Sequence, residues 1–129
     1  MAITRERIAT YVFLLGLAIG LVHYGAISFY LYWEIPFLDL VMHFFGGVWV
    51  GLLTLWVLWA LYGDLKRSRV YLGTFLFITV IGVFWEVFEY YTGLSFVAGD
   101  FWIDTITDLC MDVLGAFLVV WGVVRSIDK

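Results

Sequence analysis

Residues 106–124 read ITDLCMDVLGAFLVVWGVV, a run apolar and long enough to cross the hydrocarbon core of a bilayer, yet it carries Asp108 and Asp112 in its first turns. The two aspartates are four residues apart and project from one face of a helix, and Asp104 precedes them at the same spacing. On insertion scales a central Asp costs roughly 3 kcal/mol, so carboxylates in such a run need a compensating partner. Working outward, three more runs of spanning length cover Ile8 to Tyr32, Leu40 to Tyr62 and Tyr71 to Tyr91. They are separated by Trp33 to Leu38, which holds the only proline, Pro36, by the basic turn Gly63 to Arg69, and by Thr92 to Trp102, with two glycines and Asp100.

The composition agrees. Hydrophobic residues make up 64% of the 129-residue chain, aromatic residues 21% and charged residues only 14%, which excludes an ordinary soluble domain. The length accommodates about four spans of roughly 20 residues with short connections. The fold is therefore expected to be all-α: residues 1–129 form a single polytopic membrane domain, a bundle of four transmembrane helices. The first run is too long for a signal-peptide core and has no small-x-small cleavage site before Tyr24, so it is read as a span. The single cysteine, Cys110, excludes an internal disulfide and reads as a packing residue.

All seven basic residues fall on one side of this arrangement: Arg5, Arg7, Lys66, Arg67, Arg69, Arg125 and Lys129. The positive-inside rule then puts both termini in the cytoplasm. Glu34, Asp39, Asp100 and Asp104 lie on the opposite, outer side. Aromatic residues mark the same boundaries, with Tyr30, Tyr32, Trp33, Tyr90, Tyr91 and Trp102 as outer anchors. The basic residues are few and follow membrane orientation, so nucleic-acid binding has no support.

Counted from the outer ends of the helices, the polar side chains occupy one layer. His43 is one turn below Asp39, Glu86 and Glu89 fall in the last turns of the third span, and Asp108 and Asp112 in the first turns of the fourth; His23 comes out slightly deeper. The spacings i, i+4 (Asp39, His43), i, i+3 (Glu86, Glu89) and i, i+4 (Asp108, Asp112) aim each set from one side of its helix. This is the pattern by which helical bundles build carboxylate-rich metal sites. Asp39, His43, Glu86, Glu89, Asp108 and Asp112 are accordingly the expected metal ligands, and Glu86 the expected general base. Oxygen-rich ligation favours Mg²⁺, Mn²⁺ or Ca²⁺, and imidazole leaves Zn²⁺ or Fe²⁺ open. Capping of helix starts is an alternative account of Asp39 and Asp104, and solvation of Asp100. Near this layer Gly46, Gly47, Gly51, Gly82 and Gly115 read as close-approach positions between helices, and Gly16 and Gly20 form a GxxxG suited to an internal contact or to the seam of a homo-oligomer.

The order Asp39-x-x-x-His43, Glu86-x-x-Glu89, Asp108-x-x-x-Asp112-x-x-Gly115 resembles the VanZ-like membrane proteins and a related family of small bacterial inner-membrane proteins. The resemblance spans Asp39 to Gly115 and implies a polytopic helical fold in a cell-envelope setting, without an established reaction. Here Glu89 stands where Gln is usual and Asp112 where Asn is usual, and the outer-loop Arg is absent, which weakens the transfer of a glycopeptide-resistance role.

Three functions remain open on the residues. The first is a metal-dependent membrane hydrolase or transferase acting on a lipid-borne phosphate group, with the ion neutralising charge and activating water. The second is transport or sensing of a divalent cation or protons; its weakness is that between Gly51 and Tyr71, and beyond Leu114, only Asp64 continues an acidic path inward before the C-terminal tail. The third is a non-catalytic module whose bound metal or shared protons lock the helices together.

Overall fold

The computed structural model describes residues 3–93 and 100–127, with the backbone alone at 127. Gly99 of the outer connection and Lys129 lie outside the described residues. Five helices follow in order: α1 Arg5–Ser28, α2 Leu31–Glu34, α3 Leu38–Tyr62, α4 Arg67–Thr92 and α5 Phe101–Ile127. Four of them, all but α2, are long and apolar enough to cross a membrane, and there are no strands among the described residues.

Each helix starts and stops for a local reason. At the start of α1 the Thr4 hydroxyl accepts from the Arg7 N–H at 3.4 Å. Asp100 is not merely solvated: its Oδ1 accepts from Trp102 N at 2.8 Å and Ile103 N at 3.4 Å, capping α5. α3 and α4 end on Gly63 and Gly93, whose φ values of 71° and 70° suit the left-handed C-terminal turn. The first span differs from its expected course. Hydropathy runs through to Tyr32, but α1 ends at Ser28 and Tyr30 adopts φ 59°, a conformation uncommon outside glycine. That reversal starts the single turn of α2 and carries Tyr32 into the protein, where it is 4% exposed; it is a buried residue and not an interfacial anchor.

α3 is the central helix, packed on α1, α4 and α5. Its closest approach is to α5, through glycines. A Cβ on Gly47 would collide with the Asp112 carbonyl, one on Gly51 would meet the Ala116 carbonyl at 2.7 Å, and one on Gly115 would collide with the Phe44 carbonyl. On the other flank the Trp49 indole donates to the Val12 carbonyl at 2.8 Å and passes 2.7 Å from the Cβ position of Gly16, so Gly16 serves an internal contact. Large apolar side chains such as Phe13, Leu17, Leu72, Phe84, Leu118 and Trp121 remain exposed on the outside, as a surface solvated by lipid requires.

The helices alternate in direction. One end of the bundle gathers Ile8, Leu58, Val70 and Val124 into an apolar cluster, so the start of α1, the end of α3, the start of α4 and the end of α5 meet there. The described basic residues Arg5, Arg7, Lys66, Arg67, Arg69 and Arg125 belong to this end, and the acidic layer belongs to the other.

Candidate metal centre

The close approach of α3 and α5 brings the acidic layer together around one imidazole. His43 projects from α3 one turn inside Asp39, and its Nε2 stands 4.0 Å from Asp39 Oδ1, 3.9 Å from Glu86 Oε1 of α4 and 3.9 Å from Asp108 Oδ2 of α5. Its other nitrogen, Nδ1, is 3.3 Å from Asp112 Oδ1, within hydrogen-bond reach. Asp112 fits because α3 and α4 also place glycines against it. A Cβ on Gly82 would come within 2.9 Å of its Oδ2, and one on Gly46 within 3.8 Å of its Oδ1.

Burial makes these contacts consequential. His43 is 5% exposed, Glu86 8%, Glu89 6%, Asp108 1% and Asp112 6%. Yet His43 Nε2, Glu86 Oε1 and both Asp108 oxygens have no hydrogen-bond partner among the described residues. Such atoms are expensive inside a membrane protein. An imidazolium proton on Nε2 would draw one oxygen to about 2.8 Å, whereas three stand at nearly equal distances beyond hydrogen-bonding range. Two ligand atoms held by one ion at about 2.0–2.5 Å are separated by about 3–4 Å, the spacing found here. Two groups have ligand atoms all within 4.8 Å of one another and could hold an ion: Asp39, His43 and Asp108, and His43, Glu86 and Glu89. Asp39 is thus part of the cluster through its side chain, and it also stands in the first turn of α3, where a carboxylate meets the positive end of the helix dipole.

The structure brings all six expected ligands into one layer but gives them different neighbours. Asp112 faces Nδ1 and not Nε2. In metal-bound histidines a carboxylate in this position fixes the ring so that the other nitrogen's lone pair points at the ion. Glu89 accepts from the Trp85 indole at 2.9 Å. Asp104 is partly exposed at the edge of the layer. His23 is bonded to a neighbouring element: its Nδ1 is 2.7 Å from the Tyr32 hydroxyl, and its ring makes an edge contact with Trp85 at 5.5 Å. Burial, with the Asp39 and Glu89 carboxylates nearby, pushes the Tyr32 phenol above its ordinary range.

Trp85, Tyr32 and Trp49 were not singled out by sequence reasoning as site residues. Trp85 had a signal, since it precedes Glu89 by four residues on one helix face. Tyr32 had none, because its inward course depends on the turn at Tyr30. These residues border a half-open cavity of about 310 Å³ between α1, α3 and α4, with Asp39, His43, Glu89 and Asp112 at one end and Gly16, Ile19, Val50, Ile78 and Ile81 along the rest.

Fold and site together define a multi-pass helical membrane protein with a buried histidine ringed by carboxylates at one end of its bundle. Within that class, residues 5–129 match the family described as "Predicted membrane protein (DUF2238)", and the chain belongs to that family. No curated protein and no solved structure gives a significant match.

Proposed function

We propose that the protein is a divalent-cation-dependent membrane enzyme that acts on the polar group of a lipid. The observation that carries this reading is the continuity of the site: His43 and Asp39 belong both to the ligand cluster and to the wall of a cavity whose surface away from the acidic end is mainly apolar. An ion held by Asp39, His43 and Asp108 would polarise a bound oxygen or activate a water. Glu86, whose Oε1 meets no hydrogen-bond partner among the described residues and lies 3.9 Å from His43 Nε2, with the Thr105 hydroxyl near its carboxyl, is suited to take the proton from that water. Asp112 acts through His43 as a positioning residue. An imidazole among carboxylates suits Mn²⁺, which takes both kinds of donor, and admits Zn²⁺.

The arrangement speaks against a pore within one chain. Beyond the acidic layer the bundle is filled by Leu52, Leu55, Leu58, Val120 and Val123. The buried hydroxyls there are engaged by their own helices, Thr54 with the Val50 carbonyl at 2.9 Å and Thr74 with the Val70 carbonyl at 2.8 Å. A cation reaching His43 therefore finds no polar continuation. The gathering of basic residues at the far end supports cytoplasmic termini and a site near the outer surface of a bacterial-type plasma membrane. The VanZ-like resemblance rests on the same residues and fits this cell-envelope placement.

The test is mass spectrometry of lipids from nanodiscs containing the protein with Mn²⁺ or Zn²⁺. A metal-dependent lipid product should form, and Glu86→Gln should reduce it about 100-fold or more while still binding the ion. No metal-dependent product, combined with cation flux into liposomes, would replace this reading with transport.

A further inference from the structure

We propose that the cavity beside His43 seats an aminolipid, with one hydrocarbon chain between α1 and α4 and the ammonium head held by Glu89 and the rings of Trp85 and Tyr32. The inference rests on the reading above in that it names the class of lipid meant there, but its grounds are separate.

The first ground is the shape of the opening. Among the described residues no backbone contact joins α1 to α4, and Gly20 on one side and Trp85 on the other are exposed. Nothing lies within 4 Å of the Cβ position of Gly20, so the space beside α1 is open. Toward the acidic end the His23–Trp85 edge contact and the buried Tyr32 close the gap. The mouth thus faces the membrane side of the bundle, and a ligand enters from the bilayer. At about 310 Å³ the cavity is at the small end of ligand pockets, enough for a head group and part of one chain.

The second ground is charge. The lining contains Asp39, Glu89 and Asp112 and no Lys or Arg. The described basic residues belong to the opposite end of the bundle. An anionic head would meet three carboxylates with no fixed positive side chain to offset them. An ammonium finds the reverse. Glu89 is buried and its carboxylate is oriented by the Trp85 indole at 2.9 Å, while the faces of Trp85, Trp49 and Tyr32 offer the aromatic surface that binds ammonium groups.

The cavity also adjoins the ligand cluster. His43 lines it and is 5% exposed, while Nε2 is buried against Asp39, Glu86 and Asp108, so an ammonium at Glu89 sits beside the ion's position and leaves it to the polar group of the same lipid.

The test uses two photoreactive probes of equal chain length, hexadecyl trimethylammonium and hexadecyl phosphate, each with a diazirine on the chain, added to the full-length protein in maltoside micelles. The ammonium probe should label the segments around Ile19 and Ile81 about tenfold more than the phosphate probe, with or without metal. Glu89→Gln and Trp85→Phe should each reduce that labelling about threefold or more. Phosphatidylethanolamine should displace the probe and free ethanolamine should not, which separates a membrane lipid from a soluble amine. Equal labelling by both probes, preference for the phosphate, or displacement by free ethanolamine as effective as by the lipid would overturn the inference. The wild-type comparison needs no variant to fold. If the protein binds no metal and turns over no lipid while the ammonium preference persists, the catalytic reading fails and this one stands; the converse result sinks this one alone.

Discussion

The two halves of the bundle are buried to the same degree by opposite means. At the basic end Leu55, Val70 and Val120 are completely buried among apolar side chains, and the buried hydroxyls of Thr54 and Thr74 bond to carbonyls of their own helices. At the acidic end the equivalent depth is occupied by His43, Glu86, Asp108 and Asp112, several of whose atoms have no partner among the described residues. Helices in lipid associate by close packing of small and apolar groups, which the first half supplies in full. Stability alone would be served by repeating that solution. The acidic half therefore reflects a requirement other than packing, and its geometry could hold a cation.

The largest expected effect falls on the seam that serves both halves. Gly47→Leu places a side chain against the Asp112 backbone, so α3 and α5 cannot keep their spacing. Overpacking of this kind costs about 3 kcal/mol or more, and both folded yield in detergent and metal content should collapse together. A variant that kept both would show that the glycine approach is not what gathers the layer.

Next comes a change confined to the apolar half. Leu55→Ala leaves a void among completely buried neighbours and should lower unfolding stability by about 2–4 kcal/mol, read by denaturant titration in micelles, with metal stoichiometry unchanged. Loss of metal from this variant would break the separation between the two regions.

Asp112→Asn probes the Nδ1 side of the imidazole. It should retain the fold and weaken metal affinity about 10-fold to 100-fold in competition with a chelator, because the ring loses its charged anchor but not the Nε2 ligand direction. Unchanged affinity would remove Asp112 from the positioning role.

The smallest effect has the most informative sign. Asp108 is 1% exposed with both oxygens unpartnered among the described residues, so Asp108→Asn should stabilise the metal-free protein by about 1 kcal/mol. The same variant should lose much of the stabilisation that saturating metal gives the wild type, about 2.7 kcal/mol at a hundredfold excess over the dissociation constant. A decrease in metal-free stability would indicate that Asp108 serves packing.

Much of this division was legible in the sequence. Apolar runs placed the four spans, since length and hydropathy are what the bilayer demands, and α3 through α5 extend the expected ranges only by polar or interfacial turns at their ends. The meeting of Asp39, His43, Glu86, Glu89, Asp108 and Asp112 followed from counting depth along helices and reading i, i+3 and i, i+4 faces. Periodicity does not encode how helices rotate about one another, so it could not show that Asp112 would face Nδ1 while Asp39, Glu86 and Asp108 face Nε2. Nor does hydropathy register a left-handed residue. Tyr30 reverses the chain within an apolar stretch, and the burial of Tyr32 and the roof over the cavity depend on that one turn.

The central claim is tested most directly by elemental analysis of the purified protein after exposure to Mn²⁺ and Zn²⁺ and removal of free ion, comparing the wild type with His43→Ala. About one equivalent of a divalent metal in the wild type, lost in His43→Ala protein of unchanged helical content, is the predicted result. Wild-type protein with no stoichiometric metal, or a folded His43→Ala variant that retains it, would contradict the account.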